Sequence, residues 1–206
     1  MIWGQCIQRK DIKRIIKQKG GDMMRYYDSV ILKDGRTCVI RNTKNTDAYH
    51  VLTAFHTMHA QTDYLLTYPE ENTMSVKDEV LYINQKEQSP RDLQLCALID
   101  DKIVGLAGIN ALGDRIKIKH RIELGICIEK DYWHLGIGTA LMQACIKAAR
   151  LASFQQMELE VVATNKQAIA LYEKMGFKEY GRNQRGFITK DGVDQELILM
   201  ALDLRL

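Results

Sequence analysis

The sequence contains no run of eighteen or more apolar residues, the length a membrane-crossing helix needs. Its N-terminus lacks the apolar stretch of a secretory signal. The five cysteines (Cys6, Cys38, Cys96, Cys127 and Cys145) form no C-x-x-C pair, and their odd number argues against a disulfide framework. All but Cys6 fall within apolar strand or helix patterns, as reduced, buried thiols do. An excess of one charge is missing too. The net +3 is too mild for a nucleic-acid binder, which would need a concentrated basic face. His56 and His59 stand three apart on an expected helix, but no third ligand accompanies them. These absences lead us to expect a cytoplasmic protein with no metal, no nucleic-acid partner and no membrane association.

What remains is a chain of 206 residues, 46% hydrophobic, with room for one well-filled core. Residues 1–22 stand apart. They carry Arg9, Lys10, Lys13, Arg14, Lys17 and Lys19 against Asp11 and Asp22, with isoleucines interspersed. This basic extension reads as a surface helix in preference to a membrane-surface segment. One domain is expected over 23–206. Met23 and Met24, its first two residues, offer a second start position.

From Val30 the pattern reads as two strands around Lys33-Asp34-Gly35-Arg36, since Asp-Gly supplies the positive φ angles of a tight turn. Helices are expected over Asn45–Thr62 and about Ser75–Gln85. A hairpin over Leu93–Ile99 and Ile103–Leu112, turning at Asp100-Asp101, comes next. Strand Met157–Ala163, helix Lys166–Met175 and a last hairpin turning at Lys190-Asp191-Gly192 close the chain. Hairpins at both ends with helices between imply a mixed α/β fold (α+β type) whose sheet is largely antiparallel. No repeat or low-complexity segment appears.

The chemistry-bearing stretch is Trp133-His134-Leu135-Gly136-Ile137-Gly138. Before it, Ile122, Leu124, Ile126 and Ile128 alternate with Glu123, Gly125 and Cys127, the period of a strand. After it, Ile137, Leu141, Ala144, Cys145, Ala148, Leu151 and Ala152 recur at helical spacing. Glycines at the mouth of a helix let backbone N–H groups close around a phosphate, where the helix dipole adds its attraction. A pyrophosphate fits such a cradle. Downstream stands Asn165-Lys-Gln-Ala168-Ile-Ala-Leu171-Tyr172-Glu-Lys-Met-Gly176-Phe177.

With both stretches, the chain resembles the GNAT superfamily of acetyl-CoA-dependent N-acyltransferases, from roughly Val39 to Asp203 and most sharply from Glu123 to Phe177. The family's glycine motif begins with Gln or Arg, where this chain has Trp133; that departure touches one polar contact and leaves the backbone cradle intact. The resemblance implies a GNAT-like central sheet with two splayed parallel strands and flanking helices. It implies acetyl-CoA as co-substrate, with the main chain of Ile126, Cys127 and Ile128 pairing with the pantetheine arm. His134, Leu135, Gly136, Ile137, Gly138 and Thr139 would take the pyrophosphate, and Asn165 would hold the arm from the facing side. Some bacterial members carry a glutamate five residues before that Asn, the place of Glu160. Family members often pair through their last strands, so a homodimer is allowed.

Acyl transfer to an amine needs a neutral nitrogen, yet an alkyl amine of pKa ~10.4 is protonated at pH 7. A carboxylate in a dehydrated cleft has a raised pKa and becomes a better base. Glu160 and Glu123 are the candidates, because strand alternation puts each on the face opposite its apolar neighbours; motif match favours Glu160. Tyr172 would meet the departing sulfur. A phenol of pKa ~10 cannot readily protonate a thiolate of pKa ~8.5, an uphill step of roughly 2 kcal/mol, so hydrogen-bond stabilisation describes its role better. No Ser-x-Gly elbow or Cys–His arrangement stands out, which favours direct transfer in a ternary complex.

In the family, the acceptor is gripped by the first two helices and the last hairpin, here Ala48–Leu81 and Arg182–Val193. Glu70, Glu71, Asp78 and Glu79 hint at a cationic small-molecule amine. Two other readings stay open: a protein acetyltransferase acting on an N-terminus or lysine, and a non-catalytic acyl-CoA sensor.

Overall fold

The computed structural model describes residues 24–205, so the basic extension, Cys6 and Met23 lie outside the described residues. The chain runs β1 (Tyr27–Ile31), β2 (Thr37–Asn42), α1 (Ala48–Ala60), α2 (Val76–Gln88), β3 (Leu93–Ile99), β4 (Lys102–Ala111) and β5 (Arg121–Ile128). It continues with α3 (Ile137–Leu151), β6 (Gln156–Val162), α4 (Lys166–Lys174), β7 (Lys178–Ile188) and β8 (Asp194–Asp203). All eight strands join one sheet in the order β1-β2-β3-β4-β5-β6-β8-β7. Neighbours pair antiparallel except β5 and β6, which are parallel and need the α3 crossover to connect them. The expected mixed, largely antiparallel fold is what the chain adopts.

Local chemistry sets the element ends. Asp100 and Asp101 both take positive φ (49° and 61°), the tight turn that matches the twist of the β3–β4 hairpin. Ser75 caps α2 by accepting from the Asp78 N–H at 3.2 Å, while Asp78 Oδ2 accepts from the Ser75 N–H at 2.9 Å. The helix expected over Asn45–Thr62 starts later, at Ala48, behind a 3-10 turn over Asn45–Asp47. Asp47 explains the delay. Its carboxylate accepts from the Lys44 N–H (2.7 Å) and binds Arg41 of β2 (2.6 and 3.1 Å), which holds the entry in a turn.

Each face of the sheet is covered. On one, Ile137, Leu141 and Met142 of α3 pack with Leu95, Ile109, Ile122, Leu124, Met157 and Met200 of the strands. On the other, Val51 and Met58 of α1 and Ile83 of α2 pack against Cys96, Leu98, Ile103 and Leu106. Fully burying each such side chain contributes about 1.5–3 kcal/mol. The buried stripe of α3 is wider than its expected periodicity and ends sooner: Met142, Ile146 and Ala149 are buried, whereas Leu151 is 48% exposed. Cys38, Cys96 and Cys145 are free buried thiols, and Cys127 is half-buried.

One irregularity positions everything below. β5 and β6 pair at only Arg121–Gln156, Ile122–Met157 and Glu123–Glu158. Beyond that, β5 stays bonded to β4 as far as Ile128, and β6 to β8 as far as Val162. The two strands therefore part, and their facing edges are left unpaired from Leu124 and Leu159 onward.

Candidate functional site

The glycine stretch forms an open helix mouth at the wide end of that gap. His134 (φ 64°) and Gly136 (φ 101°) both take left-handed backbone conformations, and Gly136 is the N-cap of α3 with no side chain capping it. The first intrahelical bond runs from the Ala140 N–H to the Gly136 carbonyl, so the N–H groups of Ile137, Gly138 and Thr139 point out of the helix with no acceptor among the described residues. A Cβ at Gly138 would stand 3.0 Å from Leu171 Cδ2 and 3.3 Å from Ile128 Cδ1, so this glycine also lets α3 approach α4 and β5. The Leu135 carbonyl accepts from the Lys33 N–H (3.2 Å), which ties the β1–β2 turn to the loop. An uncapped, glycine-opened helix mouth beside unpaired strand edges suits a diphosphate with an extended arm.

Trp133 does not project as a polar side chain toward this mouth. Its indole N–H donates to the Ile128 carbonyl at 2.7 Å and caps the end of β5. Tyr172, on α4, is buried at 8% exposure and its ring centroid lies 6.0 Å from that of Phe177. Burial, with a smaller contribution from the nearby Cys127 thiol, pushes its hydroxyl up to about 12. Cys127 is a β5 residue of the unpaired stretch, so Tyr172 lies near that stretch. The Tyr172 hydroxyl makes no hydrogen bond among the described residues. Burial likewise pushes the Cys127 thiol up to about 12, which keeps it a neutral, weakly nucleophilic group. Asn165 is the N-cap of α4: its Oδ1 accepts from the Ala168 N–H at 3.1 Å, so only its amide NH₂ remains to face a ligand.

The carboxylates gather on the sheet face that carries α1 and α2. Register places Glu123 directly opposite Glu158 at the last paired rung, and Glu160 one side-chain step farther along β6. Arg121 binds Glu158 with both Nε and an NH₂ group (2.7 Å for the latter), and Gln156 adds a third bond at 2.9 Å. The Arg121 contact holds the Glu158 carboxyl below its ordinary range. Glu123 and Glu160 are exposed and have no ionic partner among the described residues. They do not lie in a dehydrated cleft. Tyr180, at a bulge of β7, stands close by: burial first, then Glu158, raises its hydroxyl pKa, Arg121 opposes, and Glu160 and Glu123 add to the rise.

The four acidic residues expected to attract a cation stand in different settings. Glu71 caps the 3-10 turn over Pro69–Glu71 by accepting from the Tyr68 N–H (2.6 Å), Asp78 caps α2, and Glu70 pairs with Lys190. Glu79 is buried, and burial raises its pKa. Glu71 and Asp78 thus serve as caps and Glu70 as an ion-pair partner, while Glu79 Oε1 is buried with no hydrogen-bond partner among the described residues. His59 stacks on Phe55 at 3.6 Å and its Nδ1 contacts the Phe55 carbonyl at 2.9 Å, while His56 is exposed. Among the described residues no group of three or more His, Cys, Asp and Glu could hold a metal, and no helix is long and apolar enough to cross a membrane.

Sequence reasoning overlooked Arg121, Glu158 and Tyr180. Arg121 and Glu123 share a strand face, as do Gln156, Glu158 and Glu160, so period-2 alternation contains the signal. Which strand lies beside which it does not contain.

The family model described as acetyltransferase (GNAT) family matches residues 58–177. An N-alpha-acetyltransferase of Sulfurisphaera tokodaii is 38% identical over 76 residues, 36% of this chain and 44% of that protein. An L-amino acid N-acetyltransferase of Escherichia coli is 28% identical over 150 residues, 71% of this chain and 86% of that protein. A GNAT-family acetyltransferase structure from Streptococcus pneumoniae superposes with a TM-score of 0.78 at 26% identity, covering 81% of this chain and 99% of the other. Over the curated relatives of highest identity, the match spans about half of their length.

Proposed function

This chain belongs to the GNAT acetyltransferase family, and on that premise we propose that it is an N-acetyltransferase acting on a primary amine of a small molecule, by direct transfer from acetyl-CoA. The observation that carries the proposal is the β5–β6 pairing that stops at Glu123–Glu158 and leaves both strand edges open, with the N–H groups that begin α3 at the same end and Tyr172 near Cys127. Acetyl-CoA supplies the activated acyl thioester. The backbone from His134 to Thr139 holds the diphosphate, and the main chain of Ile126, Cys127 and Ile128 pairs with the pantetheine amides. The Asn165 NH₂ group faces the arm from α4.

Glu160 takes the proton from the incoming ammonium, with Glu123 as its neighbour across the vertex of the gap. Glu158 is occupied by Arg121 and holds the local charge balance. Tyr172 donates a hydrogen bond to the departing sulfur. With its hydroxyl near 12 and a thiol near 8.5, full proton transfer would run uphill by about 5 kcal/mol, which favours stabilisation of developing charge over acid catalysis.

A small acceptor is supported by the extent of the comparisons. The two acceptor-facing segments lie between residues 48 and 193, so a stretch of 76 residues cannot contain both, whereas the 150-residue match to the amino-acid acetyltransferase can. The name of an Escherichia coli relative, a ribosomal protein bS18-alanine N-acetyltransferase 37% identical over 79 residues, favours a second reading, a protein N-terminus as acceptor. Thiol release from acetyl-CoA over a panel of small amines, amino acids and peptides separates the two, and coenzyme A binding without turnover on any of them would leave the sensor reading. Absence of measurable coenzyme A affinity by calorimetry would overturn the proposal.

A further inference from the structure

The segment between α1 and α2 is fastened on both sides of the gap. Gln61 Oε1 accepts from the Lys130 N–H at 2.7 Å, just past the end of β5. Farther along, the Tyr68 hydroxyl accepts from the Lys190 N–H at 3.0 Å, in the β7–β8 turn. The Lys190 ammonium also lies 4.0 Å from the Tyr68 ring centroid and pairs with Glu70. β5 and β6 are parallel, so their C-terminal ends share one edge of the sheet, and the β7–β8 turn projects past the β6 end. Residues 61–70 therefore cross the mouth where the strands part. A groove of about 420 Å³, lined by His59, Gln61, Asp63, Tyr68, Glu70 and Lys190, lies along this strap.

We infer that Lys190 is a specificity-determining residue that clasps the strap across the mouth and so admits compact amines while refusing a lysine carried within a peptide chain. The inference rests on the acetyltransferase reading above. A peptide lysine brings backbone on both sides of its side chain, and that backbone needs the strap lifted. A compact amine does not. Lifting the strap breaks three Lys190 contacts, two of which belong to its side chain. The ammonium–ring contact adds to the backbone bond, while the pair with Glu70, whose side chains are 54% and 58% exposed, contributes little. Refusal here is steric, a barrier against one acceptor class, and needs no added attraction for the other.

The test compares the full-length protein with Lys190→Ala, Tyr68→Phe and Lys190→Arg. Three quantities are measured: coenzyme A affinity by calorimetry, kcat/KM for a small alkyl amine, and kcat/KM for an end-capped peptide whose only amine is an internal lysine. The wild type should favour the small amine. Lys190→Ala should raise the peptide-to-amine ratio by about tenfold, one 1.4 kcal/mol step, through KM for the peptide. Tyr68→Phe should raise it less, Lys190→Arg should restore it, and coenzyme A affinity should stay unchanged throughout. A wild type that acetylates the peptide as well as the amine overturns the inference, as does an unchanged ratio in Lys190→Ala. Loss of coenzyme A binding in the wild type would instead overturn the acetyltransferase reading itself, and the inference with it.

Discussion

Glu123 and Glu158 face each other across the last rung that joins β5 to β6, and Arg121 takes only one of them. The bidentate Arg121 contact compensates Glu158, so Glu123 and Glu160 are left as the acidic groups at the vertex without ionic partners among the described residues. Placement by strand register, more than residue type, divides three similar carboxylates into one structural and two available groups.

The division predicts unequal effects. Glu160→Gln should lower kcat/KM by about 10²-fold or more, in the range of a lost general base. Glu123→Gln should cost less. If Glu123→Gln proves the more damaging, the two roles are exchanged.

Glu158 should reveal itself in stability. Its folded pKa is depressed, mainly by Arg121, so its contribution is present above the unfolded value of 4.5 and is lost as pH falls through the folded value. Thermal midpoints measured from about pH 6 down to about pH 3 should fall for the wild type. Glu158→Gln should start lower and fall less over that window.

Tyr172→Phe keeps the ring that packs near Phe177 and removes only the hydroxyl. Turnover should fall by about 10²-fold, the scale of one lost transition-state donor, while coenzyme A affinity and thermal stability stay near those of the wild type. Unchanged turnover would remove Tyr172 from the reaction.

The two glycines of the helix mouth should fail for different reasons. Gly138→Ala places a methyl 3.0 Å from Leu171 Cδ2 and should cost about 1–3 kcal/mol of stability; combination with Leu171→Ala should show a favourable coupling between the two sites. Gly136→Ala meets no atom within 4 Å but forces a side chain onto φ 101°, a cost of about 1–2 kcal/mol that Leu171→Ala cannot relieve. Chemical denaturation of Gly138→Ala, Gly136→Ala, Leu171→Ala and the two double variants checks this.

Much of this was legible in the sequence because it is local. Asp-Gly and Asp-Asp turns, the glycine-opened helix and the placement of Asn165 before α4 are written within a few residues of where they act. The Arg121–Glu158 contact is not, because it depends on β5 lying beside β6 in one register over a crossover. Glu70, Glu71, Asp78 and Glu79 are legible in composition as charge alone; that Glu71 and Asp78 also cap helical turns shows only in the geometry. Trp133 looked like a departure at a polar position, yet its indole N–H serves the end of β5.

Three rungs are a short seam. They divide the eight strands into two half-sheets, β1 to β5 and β6 to β8, linked beyond that seam mostly through the α3 core. An extended ligand bonded to both edges would act as a stitch and complete the hydrogen bonding that the strands leave open. Occupancy and rigidity would then rise together, so that amide exchange along Leu124–Ile128 would slow when the arm is seated and quicken on its release.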